Sequence, residues 1–202
     1  MQTPSDDSQL SPCYDKCVTA SELISIYYQE PSLLGRFEQV ESQAVPSVYR
    51  KLLDHSNHMT VTVESHHADS VDVEVLRSDI VDGHYRREIL LKTHVSQRVV
   101  QYGIVRIFIK YLSDKPREEI LRQRKPLGRV LIEHNVLREI ELFDLLRVEC
   151  GPVLSKFFGV EPGTITYGRT ALIHCDHEPA IELLEVVRPE IITASPNFDQ
   201  CV

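Results

Sequence analysis

Four segments in the middle of the chain have the pattern of β-strands. They are residues 59–64 (MTVTVE), 71–76 (VDVEVL), 85–92 (YRREILLK) and 98–112. Neighbouring side chains of a strand point to opposite faces of a sheet, so the period of two residues in the first two segments is typical of half-buried strands. The pair Asp82-Gly83 is a turn signal between the second and third segments. Strands that follow one another so closely favour antiparallel pairing.

Two further features belong to this strand pattern. Gly103 lies in the middle of 98–112, where a glycine indicates a β-bulge or a close backbone approach. Residues 164–175 and 180–187 predict a closing hairpin around the turn at 176–179.

Shorter segments predict helices around the strands, at residues 21–34, 48–53, 116–124 and 151–158. Ser21 is the candidate N-cap of the first, and Pro116 suits the first turn of the third. Consecutive strands with helices at the start and in the middle are typical of an α+β domain. We therefore predict an antiparallel β-sheet flanked by helices.

The length of 202 residues suits one domain with its own core. We expect that domain at residues 21–195, after a flexible leader at 1–20 and before a tail at 196–202. Hydrophobic residues at 42% and charged residues at 26% are typical of a soluble globular protein. Apolar runs all fall short of the roughly 20 residues that span a bilayer, so we expect no membrane partner.

The net charge of −8 argues against nucleic acid as a partner. The densest basic stretch, residues 117–129, is interleaved with Glu118 and Glu119 and indicates a solvated helix face. The five cysteines, Cys13, Cys17, Cys150, Cys175 and Cys201, are odd in number and scattered. This argues against a disulfide framework, so we expect reduced thiols and a cytoplasmic location.

Three motifs follow one another along the chain. Arg87-Glu-Ile-Leu-Leu91 comes first, and Pro126-Leu-Gly-Arg129 comes second. A hairpin that begins with Gly168-Arg169 and runs through Pro179 to Glu185 comes third. In their order and spacing these motifs resemble the chorismate pyruvate-lyase family, over roughly residues 55–190. The resemblance implies a single α+β domain of the chorismate lyase-like type, with a buried ligand pocket.

The resemblance also implies an activity. Chorismate lyases remove pyruvate from chorismate and leave 4-hydroxybenzoate, so we expect a carbon–oxygen lyase that uses no cofactor and no metal. The expected partner is a small aromatic or enolpyruvyl carboxylate, bound by a monomer or homodimer. Arg87 and Glu185 match the catalytic positions. The candidate substrate-binding residues are Leu127, Gly128, Arg106, Arg169, Met59 and His134.

Arg87 offers a planar, permanently charged fork that binds a carboxylate through paired hydrogen bonds. The alternative is that Arg87 pairs with a protein carboxylate across the sheet. The segment around Leu127 can present backbone N–H groups to a second anion. The alternative there is an ordinary turn at the end of a helix.

Glu185 lies in the otherwise apolar segment 181–187 (IELLEVV). A carboxylate that faces a core is expensive unless it is paired or protonated, so it is a candidate for a raised pKa and for proton transfer. Glu182 is three residues away, and a regular strand places the two on opposite faces. Alignment with the family from Pro189 places the essential glutamate at Glu185, whereas alignment from Pro179 misses Glu185 by one residue. The alternative for Glu185 is that its side chain points to water.

The sequence departs from the family pattern in two places. The family has an arginine directly after its central glycine, where this chain has Ile104; Arg106, two residues on, is the candidate substitute. The segment 139–163 is longer than in the family, and its predicted helix is a candidate lid. An enzyme of the same fold with a different small carboxylate substrate therefore stays open.

The histidines offer weaker signals. His66-His67 adjoin at the end of a predicted strand and face opposite ways, and the chain contains no HxH or HExxH pattern, so we predict no metal site. His134 follows the second motif and is either a pocket residue or a capping or surface residue. A non-catalytic small-molecule-sensing domain is the other class of function. Such sensors carry a DNA-binding module, for which residues 1–58 are too short and too acidic.

Overall fold

The computed structural model describes residues 18–190. The predicted tail and all but the end of the predicted leader lie outside these residues. Val18 and Ala20, at the end of that leader, are buried in the core. No helix among the described residues is long and apolar enough to cross a membrane.

A seven-stranded sheet, counted within the described residues, forms the centre of the molecule. Its strands are β1 (Gly35–Val40), β2 (Val71–Val81), β3 (His84–Thr93), β4 (Val99–Phe108), β5 (Arg138–Cys150), β6 (Ile165–Cys175) and β7 (Glu178–Val187). They lie in the order β1-β5-β6-β7-β4-β3-β2, and every neighbouring pair is antiparallel. The predicted α+β class with an antiparallel sheet is confirmed.

The helices of the described region are short. They are α1 (Ala20–Ser25), α2 (Ser47–Leu53), α3 (Met59–His67), α4 (Asp114–Leu121), α5 (Leu127–Glu133) and α6 (Pro152–Phe158). Single 3₁₀ turns lie at Pro31–Leu33, Ser42–Ala44 and Ile109–Tyr111. With so few turns each, these helices depend on packing against the sheet for their stability.

Both predicted hairpin turns are confirmed. Asp82 and Gly83 join β2 to β3 with φ of 50° and 77°, as a two-residue turn with left-handed residues requires. Asp176 and His177 join β6 to β7 in the same way, with φ of 51° and 70°.

The strand predicted at residues 59–64 is wrong, because this segment forms the start of α3. Met59, Thr60 and Val63 are its buried residues, and they share one face of a helix. The alternation of Thr and Val along the segment imitated a strand. Packing of this face against the sheet and against α5 overrides the β-propensity of its residues.

Two other predictions need correction. The helix expected over 21–34 is only one turn and a half long, and Thr19 rather than Ser21 caps it, with its Oγ1 accepting the Glu22 N–H at 3.2 Å. β5 was missed, although it is the longest strand described, because its charged residues interrupt the apolar pattern. The helices predicted at 48–53, 116–124 and 151–158 are confirmed within a few residues.

The two faces of the sheet are covered by different helices. α1 and α6 pack on one face, against residues such as Tyr102 and Ile104. The helices α2 to α5 pack on the other, against residues such as Ile89 and Val105. The candidate site lies within this second layer.

Candidate functional site

A cavity lies between the sheet and the helices α3 and α5. Its free space, including its opening to solvent, is about 530 Å³. The residues that line it are His58, Met59, Thr60, Val73, Arg87, Ile89, Leu91, Gln101, Gly103, Val105, Pro126, Leu127, Gly128, Ile140, Arg169, Ile173, Leu183 and Glu185. Most of this wall is apolar, with a few polar groups that converge on the interior, as in most small-molecule sites.

The structure brings six of the predicted site residues to this cavity, namely Arg87, Glu185, Leu127, Gly128, Arg169 and Met59. They come from five elements, α3, α5, β3, β6 and β7, which are spread along the sequence. Their roles in binding or catalysis stay predictions. Arg106 and His134 are not among the lining residues.

Strand alternation explains which sheet residues reach the cavity. On β4 they are Gln101, Gly103 and Val105, every second residue. Gly103 lies opposite Ile89 on one side and Glu185 on the other. A Cβ at Gly103 would lie 3.3 Å from the Ile89 side chain and 3.4 Å from the Leu184 carbonyl oxygen, so the nearest neighbour is a side chain and not the backbone that was predicted. The glycine leaves space above the middle of the sheet.

Arg87 is a buried cation, and two of its guanidinium nitrogens have no acceptor among the described residues. Its residue is 1% exposed, and within the described part of the chain its Nε and Nη1 have no acceptor. Burial lowers the pKa of the Arg87 guanidinium below its ordinary value, and attraction to the Tyr85 hydroxyl opposes this only in part. Arg87 lies opposite Ser78 and Val105 in the sheet, so the alternative of a pair across the sheet is wrong.

Both oxygens of Glu185 accept hydrogen bonds within a buried polar cluster. Arg169 donates from Nε to Glu185 Oε2 at 2.8 Å, and Gln101 donates from Nε2 to Glu185 Oε1 at 3.2 Å. Arg169 also donates from Nη1 to the carbonyls of Leu53 at 3.1 Å and His55 at 2.9 Å. Arg169 therefore links the end of α2 and the residues after it to the sheet. Glu185 faces the cavity rather than water.

Glu182 lies on the opposite face of the sheet, as the three-residue spacing requires. It is fully buried and pairs with the Arg106 Nε in the neighbouring strand. This corrects the proposed role of Arg106. Like Ile104, it follows Gly103 on the even-numbered face of β4, where it cannot reach the cavity.

Glu88 is a third buried carboxylate, and its surroundings contrast with those of Arg87. Glu88, next to it in sequence, faces the layer of α1 and accepts hydrogen bonds from Tyr28 at 2.5 Å and Tyr102 at 2.6 Å. Arg77 donates from Nε to the other oxygen of Glu88 at 2.6 Å. On one face of β3, Glu88 thus accepts three hydrogen bonds, whereas on the other face two nitrogens of Arg87 have no acceptor among the described residues.

His134 is also removed from the cavity. It caps the C-terminus of α5, and its Nε2 lies 2.5 Å from Glu119 Oε2 in α4. The capping alternative for His134 is therefore the one that the structure supports.

The second motif starts a helix instead of forming a turn. Pro126 is the N-cap of α5, and Leu127 and Gly128 are its first residues. A Cβ at Gly128 would lie 2.8 Å from Thr60 Oγ1 and 3.3 Å from the His58 side chain. Gly128 therefore allows the close approach of α3 and α5 that closes the cavity on this side.

The helix of segment 139–163 does not form the candidate lid over the cavity. Leu154 and Phe158 of α6 are buried in the layer of α1, on the face of the sheet opposite the cavity. Ile140 is the one residue of segment 139–163 that lines the cavity.

Two polar residues of the cavity are not among the predicted site residues. His58, at the N-terminus of α3, is 8% exposed and has no partner for Nε2 in the region described. Burial, together with the charges of Arg138 and Arg169, lowers the pKa of His58 to about 4, so the ring is neutral near pH 7. Gln101 was detectable, because it is a polar residue on the same strand face as Gly103.

His66 and His67 lie in the last turn of α3 and not on a strand, which corrects their predicted opposite orientation. Their rings meet edge to face at 4.8 Å, and His66 Nε2 is 3.1 Å from Glu190 Oε1. The ligand atoms of the three side chains lie within 4.8 Å of one another. The absence of a metal from this protein stays a prediction.

Comparisons with known proteins show a likeness of fold. No protein-family model matches the chain, and no curated protein matches it significantly in sequence. A possible transcriptional regulator, YydK from Bacillus subtilis, is 11% identical with a TM-score of 0.43, over 62% of this chain and 61% of that one. PhnF from Mycobacterium smegmatis is 9% identical with a TM-score of 0.47, over 65% of this chain and 64% of that one.

The ligand-binding domain of a possible GntR-family transcriptional regulator from Bordetella bronchiseptica is 12% identical with a TM-score of 0.43, over 58% of this chain and 85% of that one. The match therefore spans less than two thirds of the first two proteins.

Proposed function

We propose that the cavity binds a small organic molecule through a carboxylate held by Arg87. We further propose that this molecule is chorismate or a related enolpyruvyl compound, from which the protein eliminates pyruvate. The observation that carries the proposal is the buried Arg87 guanidinium, whose Nε and Nη1 have no partner within the described residues.

A buried charge without a partner is strongly unfavourable, and the sheet supplies no carboxylate to Arg87. A carboxylate from a ligand would match two adjacent N–H groups of the guanidinium with parallel hydrogen bonds. The apolar residues around it, among them Val105 and Leu183, suit the hydrocarbon part of such a ligand.

The lyase reaction gives the remaining residues defined tasks. A base takes a ring proton from chorismate, and the electron pair of that C–H bond completes the aromatic ring as the ether C–O bond breaks. The C–O electron pair leaves with the enolate, which takes up a proton at its terminal carbon to become pyruvate. Glu185 is the proposed proton acceptor, and the backbone N–H of Leu127 is the proposed donor to the second carboxylate. Both assignments rest on the resemblance and on the common location of these residues at one cavity.

A second candidate is a binding site without turnover. Each oxygen of Glu185 already accepts a hydrogen bond, from Arg169 and from Gln101. A carboxylate held in this way suits the binding of an effector better than it suits proton transfer. The cavity would then serve a small-molecule-sensing domain.

A cytoplasmic location is part of the proposal. Cys150 and Cys175 are buried and free, and burial raises the pKa of these thiols to about 11 and about 12. Thiols of this kind are unreactive and are compatible with a reducing compartment.

Incubation of the purified protein with chorismate tests the proposal, with pyruvate and 4-hydroxybenzoate measured separately. The lyase predicts equal amounts of both products, and their loss in the Arg87→Met variant. Stoichiometric binding of 4-hydroxybenzoate without turnover would favour the second candidate. If no product forms above the uncatalysed background, the lyase assignment is wrong.

A further inference from the structure

We propose that Gln101 determines specificity: its carbonyl oxygen accepts a hydrogen bond from a hydroxyl or amino group of the ligand whose carboxylate Arg87 holds. This inference rests on the binding of a carboxylate in the cavity. It adds a second recognition element, which separates ligands that carry a hydrogen-bond donor from those that do not.

The orientation of the Gln101 amide follows from its neighbour. The Glu185 carboxylate, in its ion pair with Arg169, only accepts hydrogen bonds, so the NH₂ group of Gln101 must face it. The carbonyl oxygen Oε1 is then left over. It is buried, and it has no donor anywhere in the described part of the molecule.

An unpaired buried acceptor is as unfavourable as an unpaired buried donor. Besides the unpaired Nε2 of His58, the cavity therefore presents unmet requirements of opposite kind at Arg87 and Gln101. Arg87 lacks an acceptor and Gln101 lacks a donor, and both residues line the same space. One ligand with an anion and a separate donor satisfies both.

The register of the sheet sets the backbone spacing between Arg87 and Gln101. Arg87 lies opposite Val105, and Gln101 is four residues from Val105 along β4. Four residues of a strand span about 13 Å, and side chains stand roughly perpendicular to a sheet. If both side chains stand upright from their strands and a hydrogen bond takes about 3 Å at each end, about 7 Å is left for the ligand. This is the span from a carboxylate to a substituent on the far side of a six-membered ring.

The sheet surface between Arg87 and Gln101 suits a flat ring. Gly103 lies midway between Gln101 and Val105 on the cavity face, and it has no side chain. Leu183 and Ile173 add apolar wall. A cyclic carboxylate with a hydroxyl or amino group opposite its anion therefore matches both the spacing and the chemistry of the cavity.

Calorimetric titration with four probes tests the inference: 4-hydroxybenzoate, 4-aminobenzoate, benzoate and 4-methoxybenzoate. The first two carry a donor opposite the carboxylate, benzoate carries no group there, and the methoxy group can only accept. We expect the wild type to bind the two donors about ten- to hundredfold more tightly than the others, the ratio expected for one buried hydrogen bond.

Gln101→Leu should reduce this ratio to near one while benzoate binding is retained. Gln39→Leu is the matched control, because Gln39 contacts Asp144 at the exposed edge of β1 and should keep the wild-type ratio. Should Gln101→Leu fail to fold, the wild-type ratios alone decide. Equal affinity of the wild type for 4-hydroxybenzoate and benzoate would overturn the role of Gln101 but leave carboxylate binding intact. Absence of binding by all four probes would overturn both.

Discussion

Replacement of Arg87 by methionine is expected to stabilise the protein when no ligand is present. The guanidinium has two buried nitrogen atoms, Nε and Nη1, with no acceptor in the part of the chain described. Each buried unsatisfied group costs about 1–3 kcal/mol. Methionine keeps an unbranched apolar stem and removes both groups, but it is shorter and leaves some space. We expect a net gain of about 2 kcal/mol, within the range of about 1–4 kcal/mol measured when buried charges give way to apolar residues.

The effect is measurable by urea denaturation and by thermal unfolding. For a protein of this size, 1 kcal/mol changes the melting temperature by about 2–4 °C, so Arg87→Met should melt about 4–8 °C above the wild type. A melting temperature well below that of the wild type would refute the reasoning, because it would mean that Arg87 contributes to stability in the unliganded protein.

Arg169 is the matched control for this experiment. It lines the same cavity and is also 1% exposed, but it donates to Glu185 and to two backbone carbonyls. Arg169→Met leaves the Glu185 carboxylate buried without its cation, so it should lower the free energy of unfolding by about 3–5 kcal/mol. The two substitutions therefore differ in sign, although the residue types and their burial are the same.

Three further variants test other parts of the account. Glu88→Ala removes the acceptor of Tyr28, Tyr102 and Arg77 and should lower the free energy of unfolding in urea by about 3 kcal/mol. Glu74→Ala, at an exposed position of the edge strand β2, should change it by less than about 1 kcal/mol, and equal effects would contradict the network around Glu88. Burial lowers the pKa of His58 from 6.5 in the unfolded protein to about 4 in the folded protein, so the unfolded state binds the proton first as the pH falls. The free energy of unfolding should therefore decrease from pH 6.5 towards pH 4 by up to about 3 kcal/mol. His58→Gln should lose this share of the pH dependence, and an unchanged profile would contradict the burial of a neutral ring. Gly128→Ala should lower the free energy of unfolding by about 1–3 kcal/mol, because its Cβ would meet Thr60 Oγ1. The added substitution Thr60→Ala should restore part of this loss. A neutral Gly128→Ala would show that α3 and α5 do not pack closely there.

The antiparallel sheet was predictable from sequence because its hairpins carry local signals. Asp82-Gly83 and the alternating residues 71–76 before it predict one hairpin without help from the rest of the molecule. The segment at 59–64 was not predictable in this way. Its alternation indicates a strand, and only packing against α2 and α5, which the sequence does not reveal, makes it a helix.

Part of the cavity was predictable for a similar reason. The period of a strand places Gly103 and Val105 on one face and Arg106 on the other, so the two-residue alternation alone excluded Arg106 once the face was known. Which face would be covered by α5, and therefore hold the cavity, depended on long-range packing. The sequence likewise does not reveal that Arg87 Nε and Nη1 are unpaired, because this depends on the absence of an acceptor at the positions opposite Arg87 in β2 and β4.

Titration of 4-hydroxybenzoate into the wild type and into Arg87→Met tests most directly whether Arg87 receives a ligand carboxylate. A charge-assisted buried pair that loses one partner costs about 3–5 kcal/mol, so the variant should bind at least a hundredfold more weakly at one site per chain. Arg77→Met, on the opposite face of the sheet, should bind as the wild type does. Equal affinity of the wild type and Arg87→Met would contradict the assignment of Arg87 as the carboxylate-binding residue.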